Sequence, residues 1–285
     1  ATGVLVSKDV EGLPEGVAVF KVANTLKAFQ GIAREYRRSF ENLKVFAITG
    51  SNGKTSTKDL LAACLGAKYD VVKTQGNFNN EIGLPLTIFN IRDEHEVAVL
   101  EMGISNFGEM HRLTKMAQPD VCVITNIGLC HLENLGDRDG ILKAKTEMFD
   151  YMQTDAKIIL NGDDDKLITV KEVKGVTPKF FGLSSKCDAF ADNVRSLSLK
   201  GTSCNIHLSE DCFNTTIPIP GHHMVYNALA GALVGQELGL TPDEIKAGIE
   251  ALIPVSGRNN LLETESLMII DDCYNANPVS TKASL

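Results

Sequence analysis

The chain has 285 residues, of which 44% are hydrophobic and 22% charged, values of an ordinary globular protein rather than a disordered or fibrous one. Asp plus Glu outnumber Lys plus Arg by 36 to 28, a formal charge of −8, so the chain repels the polyanion that a general nucleic-acid binder must neutralise. No apolar run approaches the roughly 20 residues of a membrane-spanning helix, which speaks against membrane insertion.

At about 150 residues per domain, the length allows two cores. Seven cysteines, at 64, 122, 130, 187, 204, 212 and 273, form no CxxC pair; reduced thiols in a cytoplasmic protein are the expectation. Residue 1 is Ala, Gly3-Val4-Leu5-Val6 reads as a buried strand, and Pro278 to Leu285 reads as a helix without a stop signal. Both ends thus look cut through secondary structure, as in a piece of a longer polypeptide.

In chain order, Gly3–Val6 and Val17–Val22 read as short strands. An amphipathic helix follows, with Leu26, Phe29, Ile32 and Ala33 at helical spacing. From 44 onward strands and helices alternate. The strands are apolar runs at 45–48, 97–100, 121–124 and 158–160, and the helices fall near 54–66, 107–117 and 139–152. Continuous apolar strands between helices predict an α/β fold with a mostly parallel sheet covered on both faces. Residues 186–220, with alternation such as Ser203-Cys204-Asn205-Ile206-His207-Leu208, predict a small antiparallel patch. Helices at 224–239 and 242–252 and a strand at 267–270 complete the pattern.

The strongest motif is Thr49-Gly50-Ser51-Asn52-Gly53-Lys54-Thr55-Ser56, between a strand and a helix. Glycines there let backbone N–H groups turn toward phosphate oxygens, and the helix N-terminus adds its dipole. Lys54 suits the β- and γ-phosphates, and the Thr55 hydroxyl suits Mg²⁺. The common pattern has glycine where this chain has Ile48, so the loop is a variant.

Ligands of a parallel sheet sit beyond the carboxyl ends of its strands. Strand 97–100 ends at Glu101, placed for Mg²⁺, and strand 121–124 ends at Thr125-Asn126-Ile127-Gly128, with His131 close behind. The stretch Thr74–Gly83 carries Asn77, Asn79, Asn80 and Glu81 and reads either as plain turn chemistry or as an amide platform for a polar substrate. Lys145 reads, by composition alone, as a solvated lysine on a helix.

These segments, with Ala144-Lys145-Thr146-Glu147, Val255-Ser256-Gly257-Arg258 and Asp271-Asp272-Cys273-Tyr274-Asn275-Ala276-Asn277-Pro278, together resemble the Mur ligases over nearly the whole chain. The Asn-rich stretch and Tyr274–Pro278 point to the member that adds D-alanyl-D-alanine to UDP-N-acetylmuramoyl-tripeptide in peptidoglycan synthesis. The resemblance implies a tail of a UDP-sugar-binding domain at 1–40, a central ATPase domain at 41–258, and the start of a Rossmann-like domain at 259–285.

It also implies ATP and two Mg²⁺, an acyl phosphate formed on the tripeptide carboxylate, and its attack by the dipeptide amine in a monomeric enzyme. Gly50, Ser51, Asn52, Gly53, Lys54, Thr55 and Ser56 would cradle the phosphates, with Thr55 and Glu101 on one Mg²⁺ and His131 on the second. Lys145 would be carbamylated by CO₂ and help place that second ion, which requires a surrounding that lowers its pKa. Arg258 would contact phosphate and Asp272 the ribose. Where the family has Asn, this chain has Met224, which leaves Asn227 for the adenine. Two alternatives stay open: a folylpolyglutamate synthetase-like ligase, and a nucleotide-binding module without turnover.

Overall fold

A computed structural model describes residues 2–253, 257–258, 260–264, 266–274 and 281–282. Val255, Ser256, Asn275 to Pro278 and most of the expected last helix lie outside the described residues; Thr281 and Lys282 are helical.

The chain opens with β1 (Gly3–Val6) and β2 (Ala18–Lys21), then α1 (Thr25–Arg38). There follow β3 (Lys44–Thr49), α2 (Lys54–Leu65), β4 (Val71–Lys73), α3 (Gly83–Ile88), β5 (Val97–Glu101), α4 (Glu109–Ala117) and β6 (Val121–Ile124). Then come α5 (Leu132–Leu135), α6 (Arg138–Thr146), a 3₁₀ turn (Glu147–Tyr151), β7 (Lys157–Asn161) and β8 (Lys179–Gly182). β9 (Ala189–Ser196), β10 (Thr202–Leu208), β11 (Asp211–Ile217), α7 (His223–Glu237), α8 (Pro242–Glu250), β12 (Asn260–Glu263) and β13 (Met268–Asp271) complete the order.

One nine-stranded sheet runs β11-β10-β9-β8-β7-β6-β3-β5-β4. Strands β4 to β9 and β3 pair in parallel, and β9, β10 and β11 pair antiparallel. The expected antiparallel patch is therefore a wing of the main sheet, joined where β9 pairs with β8.

The parallel strands bury both faces because successive side chains point opposite ways. Phe46 and Ile48 enter a core with Leu60, Leu61, Leu229 and Leu233 of α2 and α7. Val45 and Ala47 enter a second core with Ala33, Met110, Leu113 and Ile141 of α1, α4 and α6. On the first face α2 is wedged between α7 and α8. A Cβ at Gly248 would stand 2.3 Å from the Cys64 Cα, so only glycine lets α8 approach α2 this closely. Asn24 caps α1 by accepting from the Lys27 N–H at 2.9 Å, and Thr241 with Glu244 forms a capping box on α8.

Two expectations need correction. Gly3–Val6 forms a strand, but a half-exposed one, because its ladder is with β2 alone. On α1 the predicted stripe is rotated. Ile32 is 53% exposed, whereas Ala33 and Arg37 are buried and Phe29 meets Phe89 at 5.5 Å between ring centres. The Arg37 guanidinium turns the helix inward by donating to the Ala117 carbonyl at 3.0 Å beside Asp120.

Candidate functional site

β3 ends in the glycine loop, and α2 starts immediately after it. Gly53 caps α2 with φ 78°, a left-handed conformation that glycine adopts without strain. Gly50 is also required: a Cβ there would stand 1.8 Å from the Thr125 Oγ1. With Ile48 fully buried in β3, this close approach falls at Gly50, two residues later than in the common pattern.

The segment after β6 holds the loop in place. The Ser51 N–H donates to the Asn126 carbonyl at 3.0 Å and the Asn52 N–H to Asn126 Oδ1 at 3.0 Å. The Thr125 hydroxyl donates to the Asn52 carbonyl at 2.6 Å, and the Gly128 N–H to Ser51 Oγ at 2.8 Å. Thr125 and Asn126, to which the sequence alone assigned no role, thus brace the glycine loop; the polar Thr-Asn directly after an apolar strand was the signal.

Lys54 lies on its own loop, donating to the carbonyls of Gly50 at 2.9 Å and Ser51 at 3.3 Å. Burial pushes its pKa down, while the Glu101 carboxylate counters this. Glu101 is buried at the end of β5. Its Oε2 accepts from the Thr55 hydroxyl at 2.9 Å and its Oε1 from Asn79 Nδ2 at 2.7 Å. The Glu101 N–H donates to the Thr74 hydroxyl at 3.0 Å.

Lys145 is not the solvated lysine that composition suggests. It is 2% exposed, and its Nζ donates to the Gly50 carbonyl at 3.0 Å. Burial first, and then the positive charge of Lys54, lower its pKa to about 7. His131 sits at φ 52° ahead of α5, and burial followed by the charges of Lys145 and Lys54 lowers its pKa, favouring the neutral imidazole. Cys130 adds a thiol 3.2 Å from the Ser51 hydroxyl.

The structure therefore brings together Gly50, Ser51, Asn52, Gly53, Lys54, Thr55, Glu101, Asn79, His131 and Lys145; Ser56 follows in the first turn of α2. Asn227 approaches from α7. It is buried, its Oδ1 accepts from the Thr57 hydroxyl at 3.0 Å, and its amide donates to the Met224 sulfur at 3.3 Å. Arg258 reaches the loop closely enough for its charge to lower the Lys54 pKa, and its guanidinium carbon lies 4.2 Å from the Tyr274 ring centre. Asp272 is exposed, and its charge is felt by His223.

The other members of the Asn-rich stretch face elsewhere. Asn77 is exposed, and Asn80 Oδ1 accepts from the Gly83 N–H at 2.9 Å, where α3 begins. Glu81 binds Arg112 and accepts from Gln30 Nε2 at 3.3 Å, and the Arg112 guanidinium holds its carboxyl below the usual range.

Among the described residues no three His, Cys, Asp or Glu side chains gather as a metal cluster. A buried carboxylate hydrogen-bonded to the first-turn threonine nevertheless fits Mg²⁺, which is commonly held by one or two protein oxygens together with phosphates and water. No helix among the described residues is long and apolar enough to cross a membrane.

Residues 48–235 match the family description "Mur ligase middle domain". The chain is 41% identical, over 99% of its length, to the UDP-N-acetylmuramoyl-tripeptide–D-alanyl-D-alanine ligase of Bacillus subtilis, and covers 60% of that protein. It superposes on the crystal structure of MurF from Acinetobacter baumannii with a TM-score of 0.91 at 32% identity, covering 98% of this chain and 60% of that one. On the MurF ligase of Thermotoga maritima in complex with ADP the TM-score is 0.88 at 31% identity, covering 100% and 65%. The chain thus spans about 60% of the length of such relatives.

Proposed function

Because the chain belongs to the Mur ligase family, we propose that it is the nucleotide-binding part of an ATP-dependent ligase that adds D-alanyl-D-alanine to UDP-N-acetylmuramoyl-tripeptide in peptidoglycan synthesis. The observation that carries the reading is the convergence of Lys54, Thr55, Glu101 and Lys145 on one glycine loop at the carboxyl edge of a parallel sheet. The similarity to proteins named for D-alanyl-D-alanine addition favours this reading over the folylpolyglutamate-type alternative.

In this reading the loop amides, the α2 N-terminus and Lys54 bind the ATP phosphates. Thr55 and Glu101 would hold one Mg²⁺, and His131 with Lys145 a second; bound there, the cations neutralise charge that builds up as the γ-phosphoryl moves to the tripeptide carboxylate. A near-neutral Lys145 amine is competent to add CO₂, forming a C–N bond and releasing one proton, and the nearby Lys54 ammonium favours the resulting carbamate anion. The dipeptide amine then attacks the acyl carbon of the acyl phosphate, forming the amide C–N bond and giving up a proton as inorganic phosphate leaves. Arg258 is assigned to phosphate, Asp272 to ribose and Asn227 to the adenine side. Asn77, Asn79, Asn80 and Glu81 form the substrate-side loop, of which Asn79 alone reaches Glu101.

The domain division that goes with this reading is 1–40, 41–258 and 259–285, and the enzyme is monomeric and cytoplasmic. The test is ATP-dependent phosphate release in the protein carrying this chain, with the tripeptide present and D-alanyl-D-alanine varied. Release that requires the dipeptide is expected, and Lys54→Ala should lower it by roughly 10- to 100-fold, the worth of a charged hydrogen bond. Release that requires folate and glutamate instead would overturn the assignment.

A further inference from the structure

Lys145 and Glu101 come from opposite sides of the glycine loop, and the path between them runs through the first turn of α4. The cap residue of α4, Gly108, sits at φ 78° and has no side chain to satisfy the first amides of the helix. Glu147, two residues beyond Lys145, supplies the missing acceptor. Both its carboxylate oxygens accept from the Gly108 N–H at 2.9 Å, and Oε2 also accepts from the His111 N–H at 3.3 Å. A carboxylate at a helix N-terminus is stabilised by both the amides and the dipole.

From the same turn Arg112 reaches the opposite way and binds Glu81, with Nη2 donating to Oε2 at 3.0 Å. Glu81 lies two residues after Asn79, whose amide holds Glu101. The Asn79 carbonyl in turn accepts from the Gly103 N–H at 2.8 Å, tying the Asn-rich loop to the strand that carries Glu101.

We infer that α4 is a strut between the two halves of the site, and that Glu147 and the Arg112–Glu81 pair are positioning residues that set Lys145 and Glu101 against the glycine loop. Glu81 thereby acts through α4 rather than by touching substrate. The inference rests on the reading of Lys145 and Glu101 as parts of the nucleotide site, and the experiment separates the two.

Glu147→Ala, Glu147→Gln and Arg112→Ala are compared with the unaltered chain. Three quantities are measured: acetylation of Lys145 by acetic anhydride at one fixed pH, read by peptide mass spectrometry; Mg-ATP affinity by calorimetry; and Tm. Glu147→Ala should raise Lys145 acetylation and weaken Mg-ATP binding, each by about fivefold, the typical worth of a helix N-cap. Arg112→Ala should weaken Mg-ATP binding with little change at Lys145, because it acts on the Glu101 side. Glu147→Gln keeps an oxygen that accepts from Gly108 and should restore both readouts to near the unaltered values. If Glu147→Ala and Glu147→Gln lower Tm alike and leave Lys145 acetylation unchanged, the strut is overturned. If acetylation rises while Mg-ATP affinity stays constant, the strut stands and the placing of Lys145 in the nucleotide site fails.

Discussion

The two wings of the nine-stranded sheet share a helical layer and differ in where their polar groups go. In the parallel wing, β3, β5 and β6 are buried on both faces, so polar side chains are driven to the strand ends. Because parallel strands all end at the same edge, Thr49, Glu101 and Thr125 arrive there together with the glycine loop. In the antiparallel wing, β10 alternates buried and half-exposed residues, and Asn205 and His207 lie on the open face. His207 meets Asp192 at 3.0 Å and stacks on Phe190, on the open face of the wing beside the β10–β11 turn. Strand direction thus decides whether polar groups converge or are spread over a face.

The largest test of this contrast breaks what the wings share. Leu60 on α2 is fully buried, and a Cβ on Gly231 of α7 would touch it at 2.4 Å. Leu60→Ala should cost about 2–5 kcal/mol of stability, read by urea unfolding. A loss of cooperativity, with the antiparallel wing surviving alone, would show that the shared layer does not unite them.

Next comes the charge held inside the parallel wing. The fold disfavours the Lys145 ammonium, so between about 7 and the ordinary lysine value of 10.5 this residue binds more protons in the unfolded chain than in the folded one. The Lys145 contribution to stability in CO₂-free buffer should therefore rise with pH across that window, with a slope of up to about 1.4 kcal/mol per unit, and should be flat below it. Comparison with Lys145→Met isolates that contribution, which the variant should lack. A slope unchanged in that variant would mean that another group titrates there. The smallest effect belongs to the antiparallel wing: His207→Ala should change stability by less than about 0.5 kcal/mol and leave Mg-ATP affinity unaltered.

Much of this contrast was legible in the residues. The apolar runs of β3, β5, β6 and β7 read as strands because burial on both faces removes any need for alternation. The glycine loop was legible because its conformation demands particular residues. Three-residue β4 is too short for a periodic signal, and α3 was hidden because it opens on Gly83-Leu84-Pro85 within a turn-like stretch. Composition reads Lys145 as solvated and gives no sign of how Arg37 or Glu81 is held, for a common reason. Each is defined by a partner far along the chain: the Ala117 carbonyl, Arg112 and the Gly50 carbonyl, respectively. Composition marks a charge as solvated, and only the fold shows what has replaced the water.

The bracing of the glycine loop by Thr125, Asn126 and Gly128 has a kinetic consequence. The loop backbone is already ordered, and the Lys54 ammonium rests on the carbonyls of Gly50 and Ser51. An arriving polyphosphate exchanges those neutral acceptors for charged ones without reshaping the backbone. Association should then be a single step whose observed rate climbs linearly with nucleotide concentration, with no plateau from a slow isomerisation beforehand.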